Sequence, residues 1–167
     1  SPCTTRTSSG RRPSSSAAIC ANVVSCPWPW ESVPTATVTP PEIVRYFMTI
    51  REACDLMLPI WERTSGVDGW VSLEVDPTLA YDRERTYEQA MRFNREVERD
   101  NLYVKIPATE PGLGAIEDCI AKGTPINVTL IFSLERYAAV AEAYVRGLER
   151  LVAAGGDPSR VLSVASF

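Results

Sequence analysis

One lysine, Lys105, sits inside the strand-like run "LYVKIP", between Val104 and Ile106. A buried ammonium is costly unless it is paired, or unless it gives up its proton and does chemistry. A lysine at a strand end can also lay its stem on apolar surface and keep its head in water. What surrounds Lys105 in the fold decides between these. Three other runs carry chemistry at comparable places: "VSLEVD" with Ser72, Glu74 and Asp76, "INVTLIF" with Asn127 and Thr129, and "VLSVASF" with Ser163 and Ser166. The chain has no histidine at all. That removes the usual general base, the usual zinc ligand and every Ser-His or Cys-His nucleophile. What remains is chemistry by carboxylates, lysines and hydroxyls. Such a set suits a Schiff base, in which a lysine amine attacks a carbonyl and a carboxylate moves the protons. No metal site and no cofactor is expected from it.

These residues must be positioned by a regular alternation of elements. "TPPE" reads as a capping box, with Thr39 as N-cap, Pro40 in the first helical position and Glu42 at N3. Ile43, Phe47, Ile50, Cys54, Met57 and Trp61 then recur at helical steps, and Pro59 is expected to kink or interrupt that helix near its end. A strand follows over 70–76, a helix over 83–98 with Tyr87, Ala90, Met91, Asn94 and Val97 on one side, and a strand over 102–107. A short helix over 111–122 stops at Gly123, and a third strand covers 126–132. Ser133 caps a long helix carrying Tyr137, Val140, Tyr144, Leu148 and Leu151, which ends at Gly155-Gly156; the last strand is 161–167.

Strand and helix in strict alternation with short connections give parallel βαβ units. The nearly continuous apolar strands predict a sheet covered on both faces. An open doubly wound sheet and a (β/α)8 barrel both fit, and no GxGxxG or phosphate-loop glycine run follows any strand. Alternation of side chains puts Ser72 with Glu74 and Asp76, Tyr103 with Lys105 and Pro107, and Asn127 with Thr129, each set on one face. A carboxylate, an amine, an amide and a hydroxyl therefore share a side of the sheet, with Glu74 and Thr129 near strand ends. On the last strand Ser163 and Ser166 have opposite parity, so one of them adds a further hydroxyl. A purely structural Glu74–Lys105 salt bridge would neutralise both charges, but it leaves Asn127 and Thr129 unaccounted for.

Bulk properties bound the setting. The 167 residues are 45% hydrophobic and 23% charged, the composition of one ordinary core-forming domain. The net charge of −4 offers no basic footprint for nucleic acid. No apolar run reaches the ~20 residues of a membrane span. Five cysteines without a CxxC pair read as reduced thiols in a cytoplasmic setting. Residues 1–38 differ from the rest: they are rich in Ser, Thr, Arg and Pro, with no acidic residue before Glu31. They read as a disordered leader or a stretch in a non-native frame, and a transit peptide shares that composition.

"VSLEVDPTLAYD", "NLYVKIPAT", "INVTLIFSLERY" and "VLSVASF", in this order, resemble the signature segments of transaldolases, from about Thr39 to Phe167. The resemblance implies a (β/α)8 barrel of which strands three to six are represented. It implies cofactor-free transfer of a dihydroxyacetone unit between sugar phosphates of the pentose phosphate pathway, from a ketose phosphate such as fructose 6-phosphate to an aldose phosphate. By position, Lys105 resembles the Schiff-base lysine, Glu74 the acid/base carboxylate acting through a bound water, and Thr129 the hydroxyl that holds that water. Asn127 and Ser166 resemble residues that bind hydroxyls of the three-carbon unit. The family's first-strand aspartate, its Thr-x-Asn-Pro segment and its phosphate-binding arginine have no counterpart in the sequence. Part of a barrel on its own would leave open sheet edges that invite self-association. A catalytically inactive fragment and another lysine-dependent sugar-phosphate aldolase are the alternatives.

Overall fold

The computed structural model describes residues 40–167; the Thr39 cap and the 1–38 leader lie outside them. Four helices alternate with four strands: α1 (Pro40–Arg63), β1 (Val71–Glu74), α2 (Arg83–Val97), β2 (Leu102–Pro107), α3 (Glu110–Ile120), β3 (Ile126–Thr129), α4 (Leu134–Ala153) and β4 (Ser163–Ala165). All strands are parallel, in the order β1-β2-β3-β4. Parallel crossovers of one hand that always step the same way leave every helix on one side of the sheet. A doubly wound sheet reverses direction and places helices on both sides. The sequential order therefore selects the barrel type of winding.

The core lies between that helical layer and one face of the sheet. Val71, Leu73, Leu102, Val104, Ile106, Ile126 and Val128 meet Phe47, Ile50 and Cys54 of α1, Ala90, Phe93 and Val97 of α2, Ile116, Cys119 and Ile120 of α3, and Val140 and Leu151 of α4. The other face is not covered by helices among the described residues, which corrects the expectation of two covered faces. Its Ser72 and Lys105 are only partly buried and its Glu74 is exposed. β-branched and leucine side chains at alternate strand positions carried the apolar signal; the intervening polar residues mark the open face.

Helix starts follow their caps. Asp82, Thr109 and Ser133 accept from the backbone N–H of Arg85, Gly112 and Arg136 through their side-chain oxygens. α1 runs through Pro59 to Arg63, so of the kink or interruption expected there the interruption does not occur. Thr86 and Phe93 join Ala90 and Val97 as the buried stripe of α2, while Tyr87, Met91 and Asn94 lie at its margin. On α4 small residues, Ala143 and Gly147, are buried, and Tyr137 is exposed against Phe167. A Cβ at Gly147 would stand 2.7 Å from the Ile120 side chain and 2.9 Å from the Glu117 carbonyl, so α3 and α4 touch at backbone distance. Gly69, at φ +84°, brings the chain equally close to Trp61 as it turns from α1 into β1.

Candidate active site

The strand register sets the site. Glu74 pairs with Lys105, Lys105 with Asn127, and Asn127 with Val164, so a carboxylate, an amine and an amide stand side by side in one row. The next row toward the strand ends holds Pro107 opposite Thr129, and Ser166 follows β4, its N–H donating to the Val128 carbonyl at 2.8 Å. Neighbouring residues in a parallel pair share a face. Val164 and Ser166 therefore join the Asn127 side, which settles the parity of the last strand: Ser166 is on the site face and Ser163 is not. Ser163 instead donates to the Ile126 carbonyl at 2.8 Å.

Lys105 Nζ donates to Glu74 Oε2 at 3.2 Å, with the lysine side chain 17% exposed and the carboxylate 49% exposed. The ammonium is thus sunk in the face and reached by a carboxylate that still touches solvent. Asn127 is held at both ends: its Nδ2 donates to Ser72 Oγ at 3.3 Å, and its Oδ1 accepts from Ser166 Oγ at 2.8 Å. β1 and β3 are not neighbours. Strands two apart lie roughly 9–10 Å from one another in a flat sheet, with side chains standing perpendicular to it. The Ser72–Asn127 bond over β2 therefore marks a face that curves inward, as a barrel interior does.

Thr129 is different. It is 6% exposed, and its Oγ1 is buried with no hydrogen-bond partner among the described residues. A buried hydroxyl left unpaired is costly, so such a group points to a water or ligand atom. Leu130 directly after it adopts φ +58°, an uncommon conformation for a leucine, and β3 ends there instead of running to residue 132. The floor beneath the row is aromatic: Trp70 stacks on Tyr103 with ring centroids 4.0 Å apart, and Trp61 meets Trp70 edge-on. The expected strand over 70–76 includes Trp70, which instead lies just before β1, and strand alternation gives no sign of its stack on Tyr103.

Elsewhere the chemistry is spent on packing. Burial pushes the Cys54 thiol up to about 11 and the Cys119 thiol up to about 12, which makes both poor nucleophiles. A groove on the helix side is lined by Tyr81, Arg83, Tyr87, Pro111 and Asp118, and its arginine is already bound to Asp118 at 2.7 and 2.9 Å. No group of three or more potential metal ligands exists among the described residues. No described helix is long and apolar enough to cross a membrane.

All five predicted site residues, Glu74, Lys105, Asn127, Thr129 and Ser166, thus lie on one concave face at the C-terminal ends of parallel strands, where barrel enzymes carry their chemistry. The family model for transaldolase/fructose-6-phosphate aldolase matches residues 44–167. The chain is 53% identical over 121 residues to transaldolase 2 of Nostoc punctiforme, a match covering 72% of this chain and 32% of that protein. It is 54% identical over 118 residues to the transaldolase of a Parafrankia species, covering 71% and 32%. With the transaldolase of Mycobacterium tuberculosis the identity is 51% over 118 residues, again 71% and 32%. The matched segment spans about a third of the length of these curated relatives. The extent and strength of these matches establish that the chain belongs to the transaldolase/fructose-6-phosphate aldolase family.

Proposed function

We propose that this segment carries the Schiff-base half of a transaldolase site and handles a ketose phosphate through Lys105. In this reading the free amine of Lys105 adds to the ketose carbonyl, and water leaves to give an iminium ion. The C4 hydroxyl then gives up its proton through the Glu74–water relay. The electron pair of the C3–C4 bond, one bond out from the iminium carbon, passes into the iminium, releasing an aldose phosphate and leaving a three-carbon enamine. That enamine attacks an acceptor aldehyde, and hydrolysis frees the lysine. Glu74 supplies and removes protons at the nitrogen and the departing hydroxyl, through a water held by Thr129. Asn127 and Ser166 bind hydroxyls of the three-carbon unit. Fructose 6-phosphate and sedoheptulose 7-phosphate are the expected donors, with glyceraldehyde 3-phosphate and erythrose 4-phosphate as acceptors. The setting is the pentose phosphate pathway of the cytoplasm.

The single observation that carries the reading is the orphaned Thr129 hydroxyl in the same face as the Lys105–Glu74 pair. A salt bridge alone needs no such group. The reaction also needs no histidine and no cofactor, which suits the composition. The test is a transfer assay on the purified chain with fructose 6-phosphate and erythrose 4-phosphate. Formation of sedoheptulose 7-phosphate supports transaldolase. Release of free dihydroxyacetone, with no seven-carbon product, supports the aldolase alternative within the same family. Neither product, from a chain shown to be folded, contradicts both.

A further inference from the structure

We propose that Ser72 is a positioning residue for donor recognition: it holds the Asn127 amide from the far side of Lys105 and so fixes the plane in which that amide meets the substrate. The proposal rests on the reading of this face as a Schiff-base site and extends it to a residue that contacts the substrate only through another.

Three observations carry it. First, the Ser72 hydroxyl accepts from Asn127 Nδ2 at 3.3 Å although a whole strand separates β1 from β3. Among the described residues this joins two strands that are not neighbours in the sheet. Secondly, the amide is tied at its other end as well, by Ser166 at 2.8 Å. An asparagine amide rotates about a broad, roughly two-fold torsion, so one tie leaves the plane free to swing and two ties define it. Thirdly, the valence is left part-filled. The amide has two N–H donors and two acceptor lone pairs, and the two serines occupy one of each. One donor and one lone pair remain, on a residue directly beside Lys105 in the register. A ligand bound covalently at the lysine would meet a pre-set amide and would not have to order one.

The position of Ser72 also fits. It is two residues before Glu74 on the same face, one row deeper than the amine, and opposite Tyr103 in the register. It does not share the row of the reacting atoms, so its hydroxyl is placed to support Asn127 and not to exchange protons with substrate. A structural reading of the same bond would need it only for stability.

The experiment uses the 167-residue chain and Ser72→Ala, Ser72→Thr and Asn127→Ala variants. Borohydride trapping of the three-carbon adduct is measured as a function of fructose 6-phosphate concentration. In Ser72→Ala the donor concentration giving half-maximal trapping rises about fivefold, the loss of one neutral hydrogen bond, while the plateau of trapped protein stays. Ser72→Thr keeps the hydroxyl and restores the wild-type value. In the Asn127→Ala background, Ser72→Ala adds nothing further. In parallel, the side-chain amide NMR signal of Asn127, assigned by its loss in Asn127→Ala, is followed without substrate. It shifts and broadens in Ser72→Ala and recovers in Ser72→Thr. An unmoved amide signal, or a fivefold rise that persists in the Asn127→Ala background, overturns the proposal. If the amide responds but wild-type protein traps no adduct, the Schiff-base reading fails, and with it the role assigned to Ser72 in donor recognition.

Discussion

Lys105 and Glu74 face each other across the β1–β2 ladder as direct register partners, 3.2 Å from amine to carboxylate. The pair is asymmetric in its access to water, the lysine sunk and the glutamate half exposed. Half-exposed ion pairs add little to stability, typically 0–1 kcal/mol, because solvent screens them and ordering two side chains has its own entropy cost. Under the proposed function the pair acts as a proton path, and its small expected weight in stability leaves room for that role.

Glu74→Gln separates these roles. The amide can still accept from Lys105 but cannot shuttle a proton. The urea midpoint should correspond to a stability change within about 1 kcal/mol, while the rate of imine formation falls roughly a hundredfold. A large loss of stability with an unchanged rate would make the pair structural.

Thr129→Val tests the orphaned hydroxyl. The two side chains have the same shape, and the group removed has no partner among the described residues. Replacing a buried unpaired hydroxyl by a methyl should be neutral or stabilising, within about 1 kcal/mol, because its desolvation no longer has to be offset. Adduct formation should nonetheless slow by one to two orders of magnitude, roughly the weight of one acid–base contribution. Urea unfolding and time-resolved trapping check the two halves separately. Marked destabilisation would mean that Thr129 satisfies an internal partner.

Gly147→Ala is a control on the scaffold, far from the chemistry. Alanine in a helix interior is ordinarily favoured over glycine by about 1 kcal/mol. Here the added Cβ would meet the Ile120 side chain at 2.7 Å and the Glu117 carbonyl at 2.9 Å, one of them immovable backbone. Overpacking of this kind costs about 1–3 kcal/mol and should win. The thermal midpoint is expected to fall; a rise would show that α3 and α4 can separate freely.

The acid limb of stability should report the arginine–carboxylate network that joins α2, α3 and α4. Arg146 and Arg150 hold the Glu117 carboxyl below its ordinary value, mainly through the Arg146 hydrogen bond. At Asp118, burial pushes the carboxyl up, and the hydrogen bonds from Arg150 and Arg83 outweigh it to leave a net lowering. A carboxylate whose folded value is depressed adds stability that is complete above its unfolded value and is lost as the pH falls through the folded one. Arg150→Gln should therefore be less stable than wild type at neutral pH, by roughly 0.5–1 kcal/mol given the half-exposed arginine. The gap should close as the pH drops below the ordinary carboxylate range. A gap that is constant with pH would locate the effect in packing.

Much of this arrangement is written in the order of residue types. Alternation within "VSLE", "LYVKIP" and "INVT" already separates the polar face from the apolar one, because a strand side chain has only two directions to take. Glu74, Lys105, Asn127 and Thr129 could be grouped on that basis alone. Ser166 could not, since "VLSVASF" has a serine of each parity and only the β3–β4 register chooses between them. Residue types alone extend the strands too far for a related reason. Leu130 and Phe132 are apolar and continue the pattern, but a left-handed residue at 130 breaks the ladder, and backbone conformation of that kind has no signature in a leucine. Apolar runs do not distinguish how a face is covered, because Tyr103, Ile106 and Pro107 look equally buried in a sequence, whether helices or a concave sheet surface shield them. The bond from Ser72 over β2 depends on curvature, which the order of residues does not encode.

The central claim is that Lys105 forms the covalent bond to a ketose phosphate. The most direct measurement is to incubate the chain with fructose 6-phosphate, reduce with borohydride, and map the modified peptide by mass spectrometry, with Lys105→Ala alongside. The account predicts a reduced three-carbon adduct on the peptide containing Lys105 and none in the variant. An adduct spread over other amines, or one that persists in Lys105→Ala, would contradict it, as would unmodified wild-type protein under conditions that label a full-length transaldolase.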